Sequence, residues 1–384
     1  MSKQITQTSS QLPLKYRPSF WDGVKGQAGI VKGLQARSKK DNWPTVTLLQ
    51  GPTGVGKTTV AFIQAAAMQC NHLDEEGNPC GECDSCKDIF GHRFTRGGTM
   101  LLDSGTSGKD EVVEMMNIAS HTKPVISKKH VFIVEEIDLL SPAAKNALHK
   151  ILENPSRYIH FILLSMTDSN SNGKVPPSIA DRAVPYHFKP LVERDIAYVL
   201  KDICEKEGKW GAMPPEFKKE GIFLIVNNAG GSLRRALKYL DRVLAEDILT
   251  VAELEEAFQF LSETTTLDIL RALIEQKDEV FVRALEDLRR KTDLVEWMTL
   301  VSYFFLRFEE SELMDRDFDT SPAVAYLRKC DPYKRQLVGA EILQLFDSMR
   351  GGFVTPTLLA RKMLFMYKKI KHASTMAATL PTRS

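Results

Sequence analysis

The stretch Val46-Thr47-Leu48-Leu49-Gln50-Gly51-Pro52-Thr53-Gly54-Val55-Gly56-Lys57-Thr58-Thr59 decides the fold. Its first five residues read as a short buried strand, and the loop that follows matches G-x-x-x-x-G-K-T. In such a loop glycines let backbone N–H groups close around phosphates, the lysine reaches the outer phosphates, and the threonine offers its hydroxyl to magnesium. Thr59 to Ala67 is alanine-rich and predicts a helix beginning at Lys57. Strand, loop and helix in this order predict a nucleotide site formed by Gly51, Thr53, Gly54, Val55, Gly56, Lys57, Thr58 and Thr59.

The same helix leads into four cysteines, Cys70, Cys80, Cys83 and Cys86, separated by nine, two and two residues. Thiolates at these spacings can converge on one tetrahedral ion, and zinc is the expected metal. Gly77-Asn78-Pro79 is a run of poor helix formers that turns the chain into the knot. The polar start Ser2-Lys3-Gln4 lacks an apolar secretory segment, which argues against a disulfide framework. Cys204 and Cys330 stand alone and read as ordinary thiols.

At 384 residues, 43% hydrophobic and 26% charged, the chain has the composition of a globular protein of two or three domains. No apolar run approaches a membrane span, so no membrane partner is expected and the cytoplasm is the expected location. Lys and Arg exceed Asp and Glu by only 51 to 49, so any nucleic-acid surface must be a local patch.

Apolar strand-like runs at Leu101-Leu102, Val131 to Val134 and Phe161 to Leu164 alternate with helical segments, which predicts an α/β fold with a parallel sheet. After Pro190 the pattern becomes almost wholly helical. Asp195 to Leu200, Gly221 to Val226 and Ser232 to Leu237 suggest a small helical lid. Leu267 to Ile274, Val280 to Leu288 and Leu294 to Phe308 suggest a third, all-helical domain. The expected organisation is a P-loop domain over 1–190 with the cysteine knot at 70–86, a lid over 191–248, a helical domain over 249–375 and an unstructured tail over 376–384. Residues before about Leu12 read as mobile.

Val131-Phe132-Ile133-Val134-Glu135-Glu136 has the form of an apolar strand delivering two carboxylates at its end. One would act on the magnesium shell and the next would position the attacking water. With this element the chain resembles the AAA+ clamp-loader ATPases, which place ring-shaped sliding clamps on DNA, and specifically the bacterial DNA polymerase III gamma/tau type. The resemblance is carried by Leu14-Lys15-Tyr16-Arg17-Pro18 and Val24-Lys25-Gly26-Gln27, the P-loop, the four cysteines, Lys123-Pro124, Val131 to Asp138, and Ala144 to Pro155. It continues through Ser165-Met166-Thr167-Asp168, Ser178 to Ala183, and Gly231-Ser232-Leu233-Arg234, and weakens beyond about residue 245.

The resemblance implies an ATPase subunit that opens a clamp and places it on primer-template DNA during replication. ATP, Mg2+ and Zn2+ would be its cofactors, and other loader subunits, in a pentamer, its neighbours. Glu136, Arg182 and Thr167 would be catalytic, with Arg182 reaching ATP on an adjacent subunit. Glu135, Arg234, Tyr16, Arg17, Pro18 and Val24 would complete nucleotide binding. DNA contacts would go to phosphates and not to base edges. Thr106-Ser107-Gly108-Lys109 reads either as a phosphate contact or as a solvated turn, and Val112, Met115 and Met116 as a clamp contact or as core. Two residues depart from the family pattern: Glu135 replaces the usual Asp, and Asp181-Arg182-Ala183 replaces Ser-Arg-Cys while keeping the arginine. The sequence ends soon after the helical domain, and in this it resembles a minimal loader subunit, of a kind expected from a virus or an unusual replicon. The alternatives are a non-hydrolysing stator subunit of the same assembly, another AAA+ replication or helicase-loading ATPase, and a small-molecule P-loop kinase.

Overall fold

The computed structural model describes residues 11–94, 98–104, 128–153, 158–166, 175–258, 263–291, 301, 305, 308, 322–347 and 356–379. Two compact units divide at Leu249/Thr250. The first is built on five parallel strands, β1 (Val46–Gln50), β2 (Thr99–Asp103), β3 (His130–Glu135), β4 (Ile159–Ser165) and β5 (Val184–His187), in the order β2-β3-β4-β1-β5. The sequence reading finds β1 to β4 but not β5, whose Val-Pro-Tyr-His has half-exposed residues and no continuous apolar run. β5 pairs with β1 at the sheet edge, where the proline's missing N–H is tolerated.

Side chains of β1, β3 and β4 alternate between two covered faces. Val46, Leu48, Phe132, Val134, Phe161 and Leu163 pack with Ala144, Leu148 and Leu152 of the helix Pro142–Glu153. On the opposite parity Thr47 accepts a hydrogen bond of 2.9 Å from Gln64 of the loop helix Lys57–Gln69. Burial on both faces explains why these strands read as unbroken apolar runs rather than as alternating ones. The loop helix is itself buried along nearly its whole length, with Ala61, Ala65 and Ala66 allowing close approach to the sheet.

Register fixes where the chemistry falls. Gln50 stands opposite Ser165, and Val134 opposite Leu163. The carboxyl ends of β1, β3 and β4 therefore lie along one edge, the usual position of a ligand site in an open parallel sheet. Among the further helices of this unit are Ala28–Lys39, Asp84–Phe90, Glu193–Lys206, Ile222–Ala229 and Leu233–Ala245, the last capped by Ser232, whose hydroxyl accepts from Arg235 N–H.

The described elements of the second unit are all helices: Val251–Phe258, Glu263–Glu275, Asp278–Lys291, Pro322–Lys329, Pro332–Asp347 and Pro356–Thr379. Leu270, Leu273, Phe281, Phe305, Ile342, Met363 and Ile370 form its core, and the Phe281 and Tyr367 rings stack at 4.4 Å. Most of the Leu294–Phe308 stretch lies outside the described residues. The tail expected over 376–384 is corrected only at its start: the last helix continues to Thr379, through Ala373, Ala377 and Ala378, because alanine costs a helix least, and residues 380–384 lie outside the described residues.

Trp21 is fully buried and ties the N-terminal segment to the loop between Cys70 and Cys80. Its indole N–H donates to Gly77 O at 3.0 Å and its backbone N–H to Asn78 Oδ1 at 2.9 Å, while Ser38 Oγ donates to the same Gly77 carbonyl at 2.7 Å. Trp21→Ala removes a large core side chain and a buried donor, and should destabilise this unit by about 3–5 kcal/mol in chemical denaturation. An unchanged denaturation midpoint would show that the segment contributes nothing to stability.

Candidate nucleotide site and metal knot

The loop after β1 turns through conformations that only glycine tolerates well. Gly51 has φ 142°, and a Cβ there would stand 2.4 Å from Phe188 O. Gly54 has φ 83°, and a Cβ there would stand 2.0 Å from Ser232 Oγ and 3.1 Å from Arg234 Cβ. The helix Leu233–Ala245 thus sits with its N-terminus directly on the loop, and Arg234 N–H donates to Gly54 O at 3.3 Å.

A cavity of about 530 Å³ opens between the loop, the strand edge, the N-terminal segment and the helices Glu193–Lys206 and Leu233–Ala245. Among the residues expected from sequence, Tyr16, Arg17, Pro18, Thr53, Gly54, Gly56, Lys57, Thr58, Thr59, Glu135, Glu136 and Arg234 all line it. Gly51, Val55 and Val24 do not: Gly51 abuts Phe188, Val55 is buried in the core, and Val24 closes the turn begun by Trp21. Thr167, Lys123-Pro124, Thr106 to Lys109, Val112, Met115 and Met116 lie outside the described residues.

The polar contacts in the cavity form a connected set. Lys57 Nζ donates to Gly51 O at 2.6 Å and Pro52 O at 2.7 Å, which holds the ammonium at the loop mouth. Thr58 Oγ1 donates to Glu135 Oε1 at 2.8 Å, so a hydroxyl and a carboxylate meet where a hard cation would find oxygen ligands. Ser104 Oγ donates to Glu135 O at 2.6 Å and fixes the end of β3. Glu136 follows in the left-handed region, φ 50° and ψ 47°, a strained conformation for a non-glycine residue and one that recurs at functional sites. Asp138, to which the sequence reading gives no role, accepts from Ser165 Oγ at 2.9 Å and Met166 N–H at 2.6 Å, and so locks the end of β4 to the turn after β3.

Arg17 and Arg234 both line the cavity. Burial first, and then the charge of Arg234, lower the hold of Arg17 on its proton, while Glu135 opposes both. Two guanidinium groups and an ammonium in one cavity favour a polyanion. Tyr16 lines the wall, but its hydroxyl is committed to Glu207 Oε1 at 2.6 Å, beside Lys15 Nζ at 2.6 Å. The bond from Lys15, then that from Tyr16, hold the Glu207 carboxyl below its usual range, and burial followed by the Glu207 contact pushes the Tyr16 phenol up. Tyr198, Asp202 and Lys206 also line the cavity and escape the sequence reading. Their spacing of four along one helix was the available signal, since it puts all three on one face.

Arg182 is exposed and lies outside this cavity's lining, with Nη1 donating to Ser178 O at 2.6 Å. The four knot cysteines come together as expected: Cys70 caps the loop helix, Cys83 begins the helix Asp84–Phe90 and Cys86 lies in its first turn. Their sulfurs all lie within 4.8 Å of one another. A tetrahedral zinc with sulfur at about 2.3 Å needs sulfurs roughly 3.8 Å apart, so the set fits this ion with only slight contraction. Cys80 N–H and His72 N–H both point at Cys70 Sγ, each at 3.3 Å. The hydrogen bond from Cys86 and these N–H groups push the Cys70 thiol well below the usual thiol range, whereas the Cys86 thiol, which gives that bond and is buried, is pushed up. One thiolate already favoured within a closed group of four is the donor chemistry of a structural zinc site.

Residues 26–192 match the family described as DNA polymerase III, delta subunit. The DNA polymerase III subunit tau/gamma of Haemophilus influenzae is 30% identical over 72% of this chain and 38% of its own length. Protein STICHEL-like 2 of Arabidopsis thaliana is 30% identical over 74% of this chain and 32% of its own. The chain thus spans about a third of the length of these curated relatives. A solved RuvB Holliday junction branch migration motor of Thermotoga maritima aligns with 72% of this chain and 88% of its own at 15% identity and a TM-score of 0.45, too distant to bear on function. The family match, the tau/gamma relatives and the P-loop site together support a clamp-loader AAA+ subunit.

Proposed function

We propose that the chain is an ATP-hydrolysing subunit of a sliding-clamp loader, acting on primer-template DNA within a ring of related subunits. The observation that carries this reading is the gathering of Lys57, Thr58, Glu135, Glu136 and Arg234 around one cavity, with Arg182 exposed outside it. The helices from Glu193 to Ala245 serve as the lid of this site, and the helical unit beyond Thr250 as the collar through which subunits assemble.

In this reading Lys57 binds the outer phosphates and Arg17 and Arg234 hold the remaining negative charge. Thr58 and Glu135 would hold magnesium, which neutralises phosphate charge when bound. The extra methylene of Glu135 relative to the family's Asp is no obstacle to this role, since the carboxylate already reaches the Thr58 hydroxyl. Glu136 takes the part of the water-orienting carboxylate and Thr167 that of the first sensor. Arg182 supplies a guanidinium to ATP on the neighbouring subunit, an effect worth roughly 10³ to 10⁵ in rate in other phosphoryl-transfer systems. The stator reading is weaker, because it gives no use to a P-loop lysine and threonine in working positions.

The knot holds zinc in a structural role, since four thiolates leave no open position for water. Elemental analysis should find about one zinc per chain, lost in Cys86→Ser, and thiolate ligation predicts release as the pH falls and protons compete for sulfur. Metal-free protein with full thermal stability would remove the zinc assignment.

Steady-state ATPase should rise when primer-template DNA and the clamp of the same replicon are added together. Lys57→Ala should weaken ATP binding, and Glu136→Gln should keep binding while stalling turnover. A turnover rate unaffected by Glu136→Gln would exclude the water-orienting role, and a rate indifferent to DNA and clamp would exclude the loader reading.

Arg182→Ala chains and Lys57→Ala chains, each nearly inactive alone, should regain DNA-stimulated ATPase when mixed before assembly, because some interfaces then join an intact P-loop to an intact arginine. Normal hydrolysis by Arg182→Ala alone would show that the arginine does not act across the interface.

A further inference from the structure

The knot helix Asp84–Phe90 is followed by a turn that packs on the loop helix Lys57–Gln69. Gly91 N–H donates to Lys87 O at 2.9 Å, His92 N–H to Ile89 O at 3.1 Å and Arg93 N–H to Asp88 O at 3.0 Å, which closes the helix tightly. The chain then holds His92 at φ 56° and Phe94 at φ 49°, both left-handed and neither glycine. This turn lays two rings against Phe62 of the loop helix: His92 edge-on with centroids 4.8 Å apart, and Phe94 at 5.8 Å. The Arg17 guanidinium carbon stands 5.4 Å from the same Phe62 centroid, and Arg17 Nη1 lies 2.9 Å from His92 Nε2.

A guanidinium has no lone pair to offer, so Arg17 is the donor in this contact and Nε2 the acceptor. The imidazole is therefore neutral with its proton on Nδ1. Burial and the adjacent Arg17 charge both lower its affinity for a second proton, in agreement with that assignment. The contact matters because Arg17 and Arg234 line the same cavity and the charge of each repels the other. A flexible arginine under that repulsion needs an acceptor and a ring to keep it at the cavity wall, and His92 and Phe62 supply one each.

We propose that His92 is a positioning residue that holds Arg17 in the orientation for binding a polyphosphate, so that the metal knot and the phosphate site share one side-chain contact. The proposal rests on the reading of the cavity as a nucleotide site. It assigns His92 no contact with nucleotide.

The test is calorimetric binding of a non-hydrolysable ATP analogue with magnesium. His92→Leu, similar in bulk but without an acceptor, should weaken binding by about threefold to tenfold, as loss of one partly exposed hydrogen bond to a charged group does. His92→Gln, whose Oε1 can take the place of Nε2, should recover most of the affinity. In an Arg17→Ala background His92→Leu should have no further effect, since the contact it removes is already gone. Wild-type affinity in His92→Leu, equal weakness of the Gln and Leu variants, or an undiminished loss in the Arg17→Ala background would each overturn the proposal. Lys57→Ala separates the two readings: if it binds the analogue as tightly as the wild type, the nucleotide site itself is misassigned and the His92 role falls with it, whereas a weak Lys57→Ala beside an unaffected His92→Leu overturns His92 alone.

Discussion

The contact on which the rest of the site depends is between Gly54 and the start of the helix Leu233–Ala245. No side chain fits between the loop and Ser232, and the backbone of Arg234 bonds to the Gly54 carbonyl. This contact brings a distant part of the chain onto the P-loop and delivers Arg234 to the cavity. It also explains why the cavity is walled rather than open: the loop provides a floor, and the helix that touches Gly54 provides one side. A residue with a Cβ at position 54 would have to push the two apart before any phosphate could be bound.

Charge in the cavity is balanced by position rather than by number. Lys57 is held by loop carbonyls, Arg17 by His92 and the face of Phe62, and Glu135 by the Thr58 hydroxyl. Arg17 and Arg234, the pair in open electrostatic conflict, belong to segments far apart in sequence that are each anchored independently. Such preorganisation removes part of the ordering cost that a polyanion would otherwise meet on binding.

Much of this was legible in the sequence, for identifiable reasons. β1, the loop and its helix are specified by residues adjacent in the chain, and the knot by a cysteine spacing that few other purposes require. β5 was not legible, because an edge strand need not be apolar and this one contains Pro185. Asp138 was missed because its partners, Ser165 and Met166, are brought to it only by the register of β3 on β4. His92 carried no signal at all: its partner is Arg17, and nothing local relates the two. The helix through Ala377 and Ala378 was concealed by Pro381 just beyond it, which reads as a break in the chain.

The segment from Leu12 to Trp21 is short, yet it is gripped at both ends. Leu12 N–H reaches Asp241 at 3.3 Å, Lys15 and Tyr16 share Glu207, Arg17 meets His92, and Trp21 is enclosed by Gly77 and Asn78. It touches the loop of the knot, the wall of the cavity and two of the helices in turn. An expression boundary drawn just after Trp21, where a domain might be trimmed to its sheet, would strip the cavity of one wall and the knot of its anchor in a single cut.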